Sequence, residues 1–314
     1  MKRLTRAEAA GFLLTHDAYC ILTHQRPDGD TLGSAAVLCR GLRALGKTAH
    51  ILLPPEESDC DFLLEGLTKE YPHPADTVVA VDVAAKNMLP RAFETVADCV
   101  ALKIDHHGTG TPYAEEELVD SKSASCAELV WDVLAILGLT MDKDMAEAVY
   151  VGASTDTGCF RFANTTAHTF MTAAICAQAG AEIARLNQQL FETNSFAKLR
   201  LQSWITEHLD IFDDGRLALV AIPRAVEDQI GVDDKDLSNL SNFARSIEGV
   251  CMAATIRQNK EGKAKVSVRA VPGYDAAAVC AQFGGGGHKG AAGATVDLPL
   301  EEAAKQVKEA MLRN

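Results

Sequence analysis

The chain has 314 residues, 47% of them hydrophobic and 23% charged, with a formal net charge of −13. That length allows about two domains with ordinary hydrophobic cores, and no apolar run reaches the roughly 18 residues of a membrane span. The acidity argues against a long duplex-DNA partner, which needs a broad basic surface. It leaves room for a short anionic substrate held by local cations and metals.

The N-terminus starts basic, but Glu8 interrupts it and no long apolar core follows. A signal peptide is therefore not expected, no membrane association is foreseen, and the cytoplasm is the expected compartment. The nine cysteines, an odd number with no C-x-x-C pair, read as small buried thiols in a reducing compartment. None is assigned to metal or catalysis.

In chain order, residues 18–23 (AYCILT) form a short β-rich run ending at His24. Residues 31–46 follow with helical apolar spacing and a closing Gly46. Residues 48–53, 77–83 and 99–104 are short apolar strands bounded by polar or turn residues, and 126–138 and 144–154 read as helices. This alternation predicts a parallel sheet covered by helices, where ligands collect at the carboxyl ends of strands.

A helical region spans about Thr165 to Leu209. The texture then changes: 216–223, 250–258 and 263–271 read as strands, with a hairpin turn over 259–263, and 300–313 closes the chain as a helix. The expected fold class is α/β. A parallel-sheet domain with flanking helices occupies 1–190, a helical connector 191–212, and a smaller C-terminal α/β domain 213–314.

Four polar clusters fall at element ends: His24, Asp28 and Asp30 in HQRPDGD, Asp82 in VVAVD, Asp105-His106-His107 in ALKIDHH, and Asp156 in STDTG. Asp28 and Asp30, one residue apart, point the same way in an extended segment. Taken singly, each cluster also fits a plainer role. Pro-Asp-Gly is a common turn, Asp82 could cap a following helix, and Asp156 suits an Asx-turn. Their joint occurrence supplies enough oxygen and imidazole donors for two divalent metals.

A run of glycines at 284–287 precedes His288 and Lys289. Successive backbone N–H groups of such a run can cradle an anion, although alone it fits a flexible loop equally well. Gly285, Gly287 and Gly290 satisfy G-x-G-x-x-G literally, but too little chain remains for a dinucleotide-binding βαβ unit.

HQRPDGDTLGS, VVAVDV, IDHH and STDTGCFRF, in that order, resemble the DHH phosphoesterase superfamily, and FGGGGHKGAAG resembles its C-terminal associated domain. The similarity is strongest to the stand-alone subgroup described as nanoRNases, or bifunctional oligoribonuclease/pAp phosphatases, and covers nearly the whole chain. The resemblance implies that 1–190 is the catalytic domain with a dinuclear metal site. It implies that His24, Asp28 and Asp82 hold one ion, and that Asp30, Asp82, His106 and Asp156 hold the other, with Asp82 bridging. It gives His107 a place facing the phosphate, with Asp105 orienting the histidines. Mn2+ is the expected metal, Mg2+ and Co2+ the alternatives.

By the same resemblance the second domain closes over the first and holds the nucleotide through Arg269, Gly285, Gly286, Gly287 and His288. Arg269 could instead be a solvated strand residue. Arg161 is a weaker candidate for the substrate, with a structural ion pair as its plainer role. A homodimer is also implied. The chain departs from the family pattern at residues 108–117, where GTGTPYAEEE replaces an asparagine-containing segment, and at Ala270, where serine is usual.

The expected activity is metal-dependent hydrolysis of very short RNA to mononucleotides, of the 3'-phosphate of pAp, or of both. Two ions about 4 Å apart would activate a water for in-line attack. The alternative is a phosphodiesterase for linear or cyclic dinucleotides such as pApA or cyclic di-AMP. An inorganic pyrophosphatase and a non-catalytic nucleotide sensor stand behind it.

Overall fold

The apolar runs pair side by side because each is apolar on both faces. In a computed structural model, which describes residues 2–52, 56–70, 76–237, 240–259 and 262–314, strand β2 (Tyr19–Leu22) buries all four of its residues. Tyr19 and Ile21 pack with one hydrophobic cluster, Cys20 and Leu22 with another. A strand with both faces covered belongs in a parallel sheet flanked by helices.

The chain divides into two compact units, residues 1–193 and 194–314. In chain order the first unit holds β1 (Lys2–Arg3), α1 (Arg6–Thr15), β2, α2 (Gly29–Ala44), β3 (Ala49–Leu52), β4 (Thr68–Lys69), β5 (Thr77–Val81), α3 (Glu94–Ala97), β6 (Val100–Asp105), β7 (Glu116–Val119), α4 (Cys126–Ile136), α5 (Lys143–Asp156), α6 (Ala167–Gln178) and α7 (Ile183–Asn187). Its seven strands run in the order β1-β7-β6-β5-β2-β3-β4, and every pairing is parallel. The N-terminal parallel-sheet domain read from the sequence is present.

Helix starts follow side-chain chemistry. Thr5 and Glu8 form a capping box on α1, and Asp28, Ser125 and Asp142 cap α2, α4 and α5, each satisfying N–H groups that a helix leaves unpaired.

The second unit holds α8 (Phe196–His208), β8 (Asp210–Phe212), β9 (Leu217–Ile222), α9 (Arg224–Ile230), α10 (Leu240–Arg245), β10 (Met252–Gln258), β11 (Ala264–Ala270), α11 (Ala276–Ala281), β12 (Gly286–His288), β13 (Ala291–Val296) and α12 (Leu300–Leu312). Its sheet runs β12-β13-β11-β10-β9-β8. The β9–β10 pair is parallel and the other pairs are antiparallel. Residues 191–212, read from sequence as a connector, contain α8, whose Leu201 and Ile205 are fully buried with Val220, Ile222 and Leu240.

β10 and β11 pair as a hairpin. Of the anticipated turn over 259–263, Lys260 and Glu261 lie outside the described residues, as do Leu53 of the anticipated run 48–53 and His73. Among the described residues no helix is long and apolar enough to cross a membrane.

The cysteine expectation needs correction. All nine are free thiols and six are buried, but Cys99 is exposed and Cys159 and Cys251 are half-buried. Those three lie in connections next to α5, β6 and β10, where a thiol meets solvent. Outside the motifs, His16 stacks on Phe12 and His208 on Trp204, His168 pairs with Asp132, and His50 is buried in β3.

Candidate metal centre

In the first sheet, chain order reverses between β2 and β5: β3 and β4 lie to one side, β6 and β7 to the other. Such a switch point opens a crevice beyond the carboxyl ends of the strands. His24 follows β2, Asp82 follows β5, and Asp105-His106-His107 ends and follows β6. Three of the four clusters are thereby delivered to one place. The fourth, Asp156, arrives as the last residue of α5.

Three groups of side chains bring donor atoms within 4.8 Å of one another: His24, Asp28 and Asp82; Asp82, His106 and His107; and Asp30, His106 and Asp156. In the first, His24 Nε2 lies 3.6 Å from Asp28 Oδ1 and 3.7 Å from Asp82 Oδ2. Asp28 also accepts from the N–H groups of Asp30 and Thr31, each at 3.1 Å, so capping α2 fixes its carboxylate.

Asp82 belongs to two of the groups. Its φ is 58°, in the left-handed region that costs a non-glycine residue on the order of 1–3 kcal/mol. It is 2% exposed, and its Oδ1 is a buried oxygen with no hydrogen-bond partner among the described residues. Two ring nitrogens stand near it without bonding it, His106 Nε2 at 3.5 Å and His107 Nδ1 at 3.6 Å. Burial, followed by the charges of Asp30, Asp28, Asp105 and Asp156, drives its carboxyl well above the usual carboxylate range. A buried carboxyl on a strained backbone, with one unpartnered oxygen and four other acids around it, is what a cation would satisfy.

Asp30 is 1% exposed and sits on the N-terminus of α4. Its Oδ2 accepts from Cys126 N at 2.7 Å and its Oδ1 from Ala127 N at 2.9 Å, a good position for an anion. Gly152 of α5 makes room for it, since a Cβ there would stand 2.8 Å from Asp30 Oδ1. Burial still outweighs the nearby His106 and these two N–H groups, and the carboxyl is raised.

His106 Nδ1 lies 3.2 Å from the Ser123 carbonyl. A carbonyl can only accept, so Nδ1 carries the proton and Nε2 keeps its lone pair, as in metal-bound histidines. That Nε2 is 3.5 Å from Asp30, 3.5 Å from Asp82 and 3.7 Å from Asp156. Asp156 is pushed up to about 8 by burial and by Asp30 and Asp28. Asn164 Nδ2 donates to the Asp156 main-chain oxygen at 3.2 Å, to Asp156 Oδ2 at 3.4 Å and to the Ala124 carbonyl at 3.1 Å. That amide ties the end of α5 to the approach to α4.

Asp105 belongs to none of the three groups. Its Oδ1 accepts from His107 Nδ1 at 2.7 Å and from His107 N at 3.2 Å, which fixes the ring through its neighbour. The first part of the segment 108–117, where the chain departs from the family pattern, runs along the loop after Asp82, with Thr111 N donating to Ala84 O at 3.2 Å.

In the second unit, Arg269 and His288 stand in one cross-strand row. Both register with Ala291, Arg269 from β11 and His288 from β12. Directly opposite residues share a face of an antiparallel sheet, so the two candidate contacts flank one small side chain. Arg269 Nη1 donates to the Val268 carbonyl at 3.1 Å, and burial, with Arg245 adding to it, holds the guanidinium below the ordinary arginine value.

The glycine run is not a loose loop. Gly286, Gly287 and His288 form the exposed edge strand β12, with Gly285 just before it. Arg161 is exposed and donates from Nε to Gly158 O at 2.6 Å. Among the described residues it makes no ion pair.

Sequence reasoning missed Asn164, the Ser123 carbonyl, the α4 N-terminus that holds Asp30, and the buried Lys103 and Glu117 beside Asp105. A lysine inside the apolar run ALKI was the one signal present for the last pair.

Residues 18–153 match the DHH family, N-terminal domain, and residues 217–313 match the DHHA1 domain. The chain is 34% identical over 301 residues to the bifunctional oligoribonuclease and PAP phosphatase NrnA of Thermus thermophilus, covering 93% of this chain and 88% of that protein. It is 26% identical over 287 residues to the protein of the same name from Bacillus subtilis, covering 90% of each. An exopolyphosphatase-related protein from Bacteroides fragilis has the same fold, with a TM-score of 0.90 at 22% identity over 98% of this chain and 96% of that one.

Proposed function

Because the chain belongs to the DHH family, we propose that it is a metal-dependent phosphohydrolase acting on very short RNA, on the 3'-phosphate of pAp, or on both. The observation that carries the proposal is Asp82, a buried and strained carboxylate with an unsatisfied oxygen, shared by two groups of metal donors. The relatives named for oligoribonuclease and PAP phosphatase activities span most of their own length in the match, which supports a substrate of the same class.

In this reading His24, Asp28 and Asp82 hold one divalent ion, and Asp30, Asp82, His106 and Asp156 hold a second. The mixture of carboxylate and imidazole donors favours Mn2+ over Mg2+. Bound there, the ions supply a water of lowered pKa and offset charge on the phosphoryl oxygens. The protein's own groups do the rest. Asp30 is fixed by two N–H groups of α4, Asp28 by its helix cap and His106 by Ser123, so the donors are set before anything binds. His107, oriented by Asp105, holds a proton for the leaving oxygen. Arg269 and His288, with the backbone of Gly285, Gly286 and Gly287, grip the nucleotide.

The test is product release with Mn2+ and with chelator, across pAp, an RNA dinucleotide, an RNA five-mer, pApA, cyclic di-AMP and pyrophosphate. Mn2+-dependent release of mononucleotide from the dinucleotide, or of AMP from pAp, is the expected result. Preference for pApA or cyclic di-AMP would move the activity to dinucleotide turnover. Hydrolysis of none, with metal and nucleotide bound, would overturn the enzyme reading in favour of a sensor.

A further inference from the structure

A lysine lies where the pattern of β6 has no place for one. Lys103 is 3% exposed, with Nζ 3.4 Å from Glu117 and 4.0 Å from Asp105, themselves 2% and 1% exposed. Lys103 and Glu117 are direct partners in the β6–β7 register. The segment at which the chain departs from the family pattern completes the enclosure. The Tyr113 ring lies under the ammonium, 5.2 Å from its centroid. Tyr113 N donates to Glu117 Oε1 at 3.2 Å, and Tyr113 Oη donates to the Val83 carbonyl at 3.0 Å, one residue beyond Asp82.

Pairing two strands would need only Lys103 and Glu117. Here one ammonium faces two carboxylates, and the second is the one that holds His107. The two oxygens of Asp105 divide the work: Oδ1 takes both N–H groups of His107, while Oδ2 is the oxygen measured against Lys103. At 4.0 Å the contact with Lys103 is electrostatic and not a hydrogen bond, but between two buried groups such attraction is felt strongly.

We propose that Lys103 is a positioning residue for His107. Glu117 and Tyr113 fix the ammonium, the ammonium holds Oδ2 of Asp105, and Oδ1 is thereby turned to His107. The imidazole is locked by its Nδ1–H on Asp105, and Nε2 is the ring nitrogen left to face the phosphate and hand its own proton to the leaving oxygen. The proposal rests on the reading of His107 given above, and its test separates the two.

Three variants are compared: Lys103→Met, Glu117→Gln and the double variant Lys103→Met/Glu117→Gln. Each is made with and without Asp105→Asn. Removing both charges of the pair together leaves no lone buried ion between them, so the double variant is the informative one if Lys103→Met alone fails to fold. In the metal-free protein with 15N-labelled histidine, the Hδ1 proton of His107 is expected downfield, and in the double variant it should move upfield or be lost to exchange. With Mn2+ and the RNA dinucleotide, kcat should fall about 10- to 100-fold, the usual range for groups that orient a site's ligands, while KM and Mn2+ affinity stay near parental. Asp105→Asn should then add little, because the two changes act through one contact.

An unmoved Hδ1 resonance, or Asp105→Asn costing as much in the double variant as in the parent, would overturn the proposal and leave the pair as a strand fastener. A moved resonance in a protein that hydrolyses none of the nucleotides supports the positioning and sinks the functional reading instead.

Discussion

The donor cradle of the first unit and the glycine edge of the second are built in opposite ways. Asp30, Asp82, His24 and Asp105 are all less than a tenth exposed, with Asp30 held by main chain of α4 and Asp105 by His107. Gly286, Gly287 and His288 are exposed and are ordered by the β12–β13 register. Fixing several negative groups close together costs energy that bound cations or protons return, so that region has to be built rigidly and in advance. Gripping a phosphate with N–H groups and a few cations needs access more than enclosure. The difference predicts that damage in the cradle abolishes chemistry, whereas damage at the edge weakens binding.

The largest effect should come from Asp82. Asp82→Ala removes a donor shared by two groups and should lower kcat at least about a thousandfold, given the several kcal/mol of charge stabilisation such sites supply. Without metal the same side chain is a burden. Asp82→Asn keeps the shape, suits the left-handed φ of 58° better than most residues, and cannot carry charge. In chelator it should melt at or above the parent temperature by calorimetry, although it is inactive. Near-parental turnover in Asp82→Ala would break the comparison at its root.

A second effect is on pH. Asp82, Asp30 and Asp156 all have raised carboxyls, Asp156 to about 8 from the ordinary 3.8, chiefly through burial. The folded protein therefore binds more protons than the unfolded chain across that interval, and stability falls where this is so. In chelator this contribution should be fully present below about pH 4 and be lost as pH rises toward 8. Metal ions compete with those same protons, so excess Mn2+ should raise the melting temperature more at pH 8 than at pH 5. A metal-induced shift that does not grow with pH would mean that these carboxylates are not the ligands.

At the edge, Arg269→Ala should raise KM for the nucleotide about 10- to 100-fold, the value of a hydrogen bond to a charged group, with Mn2+ binding by titration unchanged. A loss of Mn2+ affinity would blur the division between the two regions.

Much of this arrangement was legible in the chain because strand ends carry it. The runs at 18–23, 77–83 and 99–104 were recognisable by apolar length, and a polar residue closing such a run falls at the carboxyl edge of the sheet whatever the strand order. The connections that tune the site are long-range and left no local mark. Asp30 meets the α4 N-terminus 96 residues away, and Lys103 meets Glu117 only through the β6–β7 register. Strand β7 itself, EELV, starts with two acids, and periodicity gives it no apolar face. Strand β13, AAGATV, is built of residues too small to read as a strand. The row of His288, Ala291 and Arg269 depends on that same strand and was equally hidden.

The smallest effect is also the sharpest discriminator within the edge. Gly287 has φ 144°, and a Cβ there would stand 2.5 Å from the Ala291 carbonyl and 2.7 Å from Ala292 Cα. Gly287→Ala must therefore shift main chain, costing on the order of 1–3 kcal/mol and displacing His288 from its place beside Ala291. Gly286, one residue earlier, has nothing within 4 Å of a Cβ, so Gly286→Ala should leave the melting temperature unchanged. Any rise in KM for Gly286→Ala then reports on space occupied by the substrate and not on the fold. If Gly286→Ala left both melting and KM unchanged while Gly287→Ala raised KM, the edge would act by placing His288. A rise in both variants would instead mark the glycine backbone as the surface the phosphate approaches.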